Sequence, residues 1–231
     1  MPARRSIGFA TLGVALIAGV LLGVKSFLPV EGFVFNQIYK SGYWGRHPSG
    51  LGSSGPGSTE LVTREYRKFI ETLIRQEGIK TVVDAGCGDW EFSQHIDWGG
   101  AQYIGIDVSS VVLDRVIAQY SKPNIMFSEA SLVEVLPPAD LLIVKDVLQH
   151  LPIDDISKFI HNNLRPGRYK IAVLTNDRAA NGADNNSNIV RGDYRKIDLA
   201  SPPFNVHGLE DFDLFKSIPA TEKVVQVLRF D

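Results

Sequence analysis

The feature that most constrains this chain is a short apolar run that stops on two glycines. Thr81 to Ala85 reads as a buried strand and leads straight into Gly86-Cys87-Gly88-Asp89-Trp90. A glycine pair at a strand-to-helix turn lets backbone approach a ligand closely, and a following helix start offers free N–H groups. A second apolar run, Tyr103 to Ile106, ends at Asp107, 21 residues after Gly86. In doubly wound folds an acidic residue at that distance accepts bonds from ribose hydroxyls. Capping of the next turn is the structural alternative for Asp84 and Asp107. The glycines together with both spacings favour a bound adenosine.

The rest of the chain repeats the strand-then-helix alternation. Glu60 to Gln76 carries the apolar stripe Leu61, Tyr66, Phe69, Ile70, Leu73 and Ile74, with Ser58 or Thr59 as cap and Gly78 as stop. A helix is expected over Val111 to Tyr120, capped by Ser109 or Ser110. Another is expected over Ile153 to Leu164, with Pro152 at its start and Arg165-Pro166-Gly167 after it. Further strands are expected at Ile125 to Phe127, Leu141 to Val144 and Tyr169 to Leu174. Asp211 to Phe215 and Lys223 to Phe230 would form a final antiparallel pair. Short apolar runs between helices predict an α/β fold: a Rossmann-like, mostly parallel seven-stranded sheet with helices on both faces.

Residues Ile7 to Val24 form 18 consecutive uncharged positions of which only Thr11 is polar. As a helix this run would be about 27 Å long, close to the hydrocarbon core of a bilayer. No small-x-small cleavage site follows it, which favours an uncleaved single-pass anchor over residues 1–31. Residues 32–59 read as a linker or lid: Gly, Ser and Pro dominate after Gly42, yet Tyr43 and Trp44 are unusual for a plain tether. Residues 60–231 read as the main domain. With a hydrophobic fraction of 44% and a charged fraction of 22%, the chain is an ordinary globular protein rather than a disordered or multi-span one. Beyond Glu31 it holds 21 basic and 25 acidic side chains. That balance disfavours nucleic acid as a partner. Cys87 is the only cysteine, so neither an internal disulfide nor a paired-cysteine zinc cluster forms, and no metal site is expected.

The identity of the adenosine ligand turns on charge. A dinucleotide pattern needs a third glycine where Glu91 stands, and a carboxylate there would repel a pyrophosphate. Asp84 before the glycines suits a ligand with a positive amino group. On Val82 to Trp90, on Gly105-Ile106-Asp107 and on Asp140 to Leu151, the sequence resembles the class I S-adenosylmethionine-dependent methyltransferases. The resemblance covers about Val62 to Asn176. It implies S-adenosylmethionine as cofactor, with Asp84, Gly86 and Gly88 on the methionine side and Asp107 on the ribose. Lys145, in the loop after the fourth strand, falls at the same site. Two positions depart from the family pattern: Trp90 stands where a glycine is common, and Glu129-Ala130-Ser131 where an aspartate near the adenine amino group is common. Ser131 would substitute through its hydroxyl.

The loop after the fourth strand should border the transferable methyl, since ligands sit at the carboxyl ends of parallel strands. There Asp146 and His150 are the candidates for taking a proton from an attacking hydroxyl or amine. The structural alternatives are that Asp146 orients backbone and His150 packs under the cofactor. Asn176 and Asp177 are placed to reach substrate, and Ser201-Pro202-Pro203-Phe204 lies too late in the chain to be more than a turn. The sequence thus reads as a membrane-anchored methyltransferase of a small-molecule, lipid or glycan acceptor. Because S-adenosylmethionine is made in the cytosol, the catalytic domain is expected on the cytoplasmic side. The rivals are a NAD-dependent oxidoreductase and a non-catalytic membrane scaffold.

Overall fold

The computed structural model describes residues 29–179, 185–218 and 222–230. Its centre is β1 (Thr81–Ala85), flanked by β2 (Gln102–Asp107) and β4 (Leu141–Lys145), both parallel to it. Outside these lie β3 (Ile125–Glu129) and β5 (Ile171–Asp177), again parallel. The strand β7 (Lys223–Arg229) adds antiparallel to β5, and β6 (Leu209–Phe212) antiparallel to β7. The order is β3-β2-β1-β4-β5-β7-β6. Chain direction around the sheet reverses between β1 and β4, which opens a crevice at their carboxyl ends.

Successive strand residues point to opposite faces. Val82, Leu141 and Val173 enter one core with α2 (Arg64–Gln76) and α3 (Ser110–Tyr120). Val83, Leu142 and Leu174 enter the other with Ile156 and Phe159 of α4 (Ile153–Asn163). Both faces are therefore covered, as the near-continuous apolar strands require. Ser109 caps α3 by accepting from the Val112 N–H at 3.4 Å.

Three expectations change. The helix expected from Glu60 begins at Arg64, because Pro56–Ser58 forms a separate short turn and Thr63 occupies the N-cap; Leu61 is left exposed. The sixth strand is shifted to Leu209–Phe212, and Phe215 packs in the core beyond its end. A helix not foreseen, α1 (Pro29–Ser41), precedes the Gly/Ser segment and packs on α3: Asn36 Oδ1 accepts from the Ser109 hydroxyl at 2.8 Å and from the Val111 N–H at 3.2 Å. Among the described residues no helix is long and apolar enough to cross a membrane. The apolar run 7–24 lies outside the described residues.

Candidate active site

Where β1 ends, Gly86 and Gly88 turn the chain with φ of +80° and +55°. A Cβ on Gly86 would lie 2.3 Å from Val147 Cγ2, so the loops after β1 and β4 touch with no space for a side chain. The N–H groups of this turn are already engaged. Gly86 and Cys87 donate to the Ile106 carbonyl at 2.7 and 3.0 Å, Gly88 to Asp107 Oδ2 at 3.0 Å, and Asp89 to Ser54 Oγ at 3.0 Å. A pyrophosphate needs such donors free. Glu91 does not line the cleft, so the case against a dinucleotide rests on these spent N–H groups rather than on its carboxylate.

Asp84, Asp89 and Asp107 meet around the turn, and all three are buried. Asp84 accepts the Tyr103 hydroxyl at 2.6 Å, and Trp90 Nε1 donates to the same tyrosine oxygen at 2.8 Å. Trp90 stands in left-handed backbone, φ +59°, where a glycine would be the easier residue. Burial pushes Asp84 up to about 6, against the hydrogen bond from Tyr103 and the charge of Lys145. Asp107 accepts from the N–H of Ser109 at 2.9 Å and of Gly88; burial again pushes it up to about 6, against those bonds. Buried carboxylates with raised pKa values favour a ligand carrying a positive charge.

The end of β4 holds an ion cluster. Asp146, itself at φ +59°, accepts from Lys145 Nζ at 2.6 Å and from Lys223 Nζ at 2.6 Å. Burial alone would raise its pKa, but the two ammonium groups outweigh that and hold it below the usual carboxylate range. Burial lowers Lys145, with Asp146 opposing, while Asp146 and Asp177 overcome burial to raise Lys223. Asp177 bridges to Lys223 at 3.2 Å and accepts the Tyr194 hydroxyl at 3.1 Å. His150 Nδ1 lies 2.8 Å from the Asp193 carbonyl oxygen, and its ring sits 4.8 Å from that of Trp44. Burial lowers the His150 pKa, and the hydrogen bond to Asp193 only partly offsets this.

One cleft of about 320 Å³ joins these parts. Asp84, Gly86, Gly88, Asp107 and Lys145 line it, and so do the two proton-acceptor candidates, Asp146 and His150. Ser131 does not; its hydroxyl donates to Glu31 Oε2 at 2.5 Å. Asp177 reaches the cleft, whereas Asn176 is buried behind it. The remaining wall comes from a region in which only Tyr43 and Trp44 stood out in the sequence: Glu31, Phe35 and Tyr39 of α1, then Trp44 and Ser54 to Ser58. This segment is pinned to the glycine turn. Asp89 Oδ2 accepts the Ser54 N–H at 2.7 Å and lies 3.0 Å from His47 Nε2, and Lys145 Nζ donates to the Gly57 carbonyl at 2.9 Å. His47, Asp89 and Glu91 bring ligand-type atoms within 4.8 Å of one another, a grouping that their scattered positions conceal in the sequence.

Residues 82–167 match the family described as "Methyltransferase domain". No curated protein sequence matches the chain. Among solved structures, the 1,6-didemethyltoxoflavin-N1-methyltransferase of Burkholderia thailandensis is similar at 14% identity and a TM-score of 0.57, over 100% of this chain and 94% of that one. The N-methyltransferase NodS of Bradyrhizobium japonicum WM9 is similar at 17% identity and 0.53, over 74% and 97%. The methyltransferase domain of bacterial CtHen1 is similar at 15% identity and 0.56, over 73% and 98%. At such identities the likeness is one of fold, and it is the family match over β1 to α4 that adds the chemistry. Over residues 82–167 the chain is thus a methyltransferase domain, set in the fold that these solved methyltransferases share.

Proposed function

We propose that this chain is a membrane-tethered enzyme that methylates a hydroxyl or amine of a small-molecule or lipid acceptor. The observation that carries the acceptor chemistry is the state of His150. A backbone carbonyl only accepts, so the bond to Asp193 puts the proton on Nδ1 and the lone pair on Nε2. Burial favours the neutral ring. A neutral imidazole of fixed tautomer on the wall of the cleft is equipped to take a proton from an acceptor O–H or N–H. Asp146 is the weaker base, because two ammonium groups share its oxygens.

S-adenosylmethionine, when bound, supplies a methyl group on a cationic sulfur. The donor set fits it: buried carboxylates for an amino group and ribose hydroxyls, with the N–H groups of the glycine turn engaged within the protein rather than free to cradle phosphate. Asp84 would hold the amino end and Asp107 the hydroxyls. Asp146 stays anionic and keeps Lys145 and Lys223 in place. Trp44, packed on His150, screens the site from water. The similar toxoflavin enzyme is named for a small-molecule acceptor.

The membrane part of the proposal rests on the apolar run 7–24, which ends five positions before α1, the helix that forms one wall of the cleft. The supply of S-adenosylmethionine places the domain on the cytoplasmic side. The test is to incubate membranes carrying the chain with methyl-labelled S-adenosylmethionine and to separate lipid, small-molecule, glycan and protein fractions. Label is expected in the lipid or small-molecule fraction, reduced about a hundredfold by His150→Gln. Label confined to protein would refute the acceptor class, and full labelling by His150→Gln would remove His150 from the chemistry.

A further inference from the structure

The cleft has an apolar end next to Asp107. Val108 follows that aspartate, Ala130 donates its N–H to the Asp107 carbonyl at 3.1 Å, and Leu132 and Phe35 complete the wall within the same core cluster. Into this end α1 delivers a carboxylate. Glu31 lines the cleft while only 8% exposed. Its placement is built rather than incidental. The next residue is Gly32, where a Cβ would lie 2.9 Å from the Val108 carbonyl oxygen, so the helix approaches the end of β2 as closely as its backbone allows. The Ser131 hydroxyl then fixes the carboxylate by donating to Oε2 at 2.5 Å. Among the described residues no protein donor bonds Oε1.

A buried carboxylate that keeps an acceptor atom for a ligand, in an apolar slot beside the ribose-binding acid, selects a flat ring with an amino donor on its edge. We propose that Glu31 reads the adenine of the cofactor, with Oε1 accepting from the exocyclic 6-amino group while the ring lies among Phe35, Val108, Ala130 and Leu132. The inference rests on the S-adenosylmethionine reading of the cleft. It assigns base selection to a residue on α1, outside the matched region 82–167. It also gives Ser131 a positioning role through Glu31 in place of direct contact with the base. A 6-oxo base would present an acceptor to an acceptor and be rejected.

The experiment is titration of the full chain with S-adenosylhomocysteine and with its 6-oxo counterpart, S-inosylhomocysteine. The wild-type protein is expected to prefer the adenosyl ligand by about tenfold or more, the scale of one hydrogen bond to a charged group. In Glu31→Gln the side-chain amide donates to a 6-oxo group, so the preference should shrink to about threefold or reverse. Ser131→Ala keeps the carboxylate but frees its orientation. It should narrow the preference partway, and it carries the test if Glu31→Gln fails to fold. Strong adenosyl binding with the same preference in the variants overturns the role of Glu31 alone. No binding of S-adenosylhomocysteine to the wild-type chain overturns the cofactor reading and the Glu31 assignment together.

Discussion

Asp146 sits in left-handed backbone between two lysines whose side chains are 2% and 8% exposed. A strained aspartate in that position persists only where its surroundings hold it, here the ion cluster and the Asp146 N–H bond to the Thr175 carbonyl at 2.8 Å. Removing its charge would leave buried Lys145 without its directly bonded carboxylate, although Lys223 keeps Asp177. Asp146→Asn should therefore lower the unfolding free energy by roughly 3 kcal/mol, the lower end for breaking a buried pair. It should cut turnover more than affinity for S-adenosylhomocysteine; denaturant titration and paired binding and rate measurements check both, and unchanged values in all three would remove the cluster from the mechanism. Asp84 and Asp107 carry a pH prediction. Each is raised in the folded protein from an ordinary 3.8 to about 6. Between those values the folded chain holds protons that the unfolded chain has lost, so the stabilisation is full below 3.8 and is lost as pH rises through about 6. Binding an amino group and ribose hydroxyls needs the ionised forms. Affinity for S-adenosylhomocysteine should thus weaken as pH falls through about 6, by up to about tenfold per pH unit per carboxylate. A flat profile in titrations between pH 5 and 7.5 would place both groups away from the ligand.

At the scale of elements, the active cleft is a joint between a periodic part and an aperiodic one. The strands β1, β2 and β4 and the helices α3 and α4 were legible because each carries its own signal: a short apolar run, a serine cap, an amphipathic stripe. Asp84, Gly86, Gly88 and Asp107 were legible because they punctuate those runs at fixed distances. The α1 wall and the 44–58 segment were not, since what places them is contact over long separations: Ser54 with Asp89 across 35 positions, Glu31 with Ser131 across 100. No local pattern announces such pairs. Glu91 misled for the same reason, since its direction depends on how the turn after β1 packs. The joint is tight at Gly88, where a Cβ would lie 2.3 Å from Ser54 Oγ and the φ of +55° disfavours a side chain. Gly88→Ala should push the Ser54 segment off the turn and weaken S-adenosylhomocysteine binding by about tenfold or more. Binding at wild-type strength would show that the Ser54 contact is not part of the closed site.

For the whole molecule, the seven-stranded sheet puts every catalytic candidate at the carboxyl ends of its parallel strands, and α1 links that cleft to the sequence leading back to the apolar run 7–24. The charge flanking that run is ambiguous: Arg4 and Arg5 precede it, Lys25 and Lys40 follow. The need for cytosolic S-adenosylmethionine decides the proposed orientation. External protease on intact cells or spheroplasts should leave the domain uncut until lysis, and cleavage without lysis would reverse the topology. The central claim is the cofactor itself, and calorimetric titration of the chain with S-adenosylhomocysteine and NAD tests it most directly. The account predicts binding of S-adenosylhomocysteine, weakened by about 1.5–3 kcal/mol in Asp107→Ala, and no binding of NAD. Binding of NAD with equal strength, or affinity for S-adenosylhomocysteine unchanged by Asp107→Ala, would contradict it.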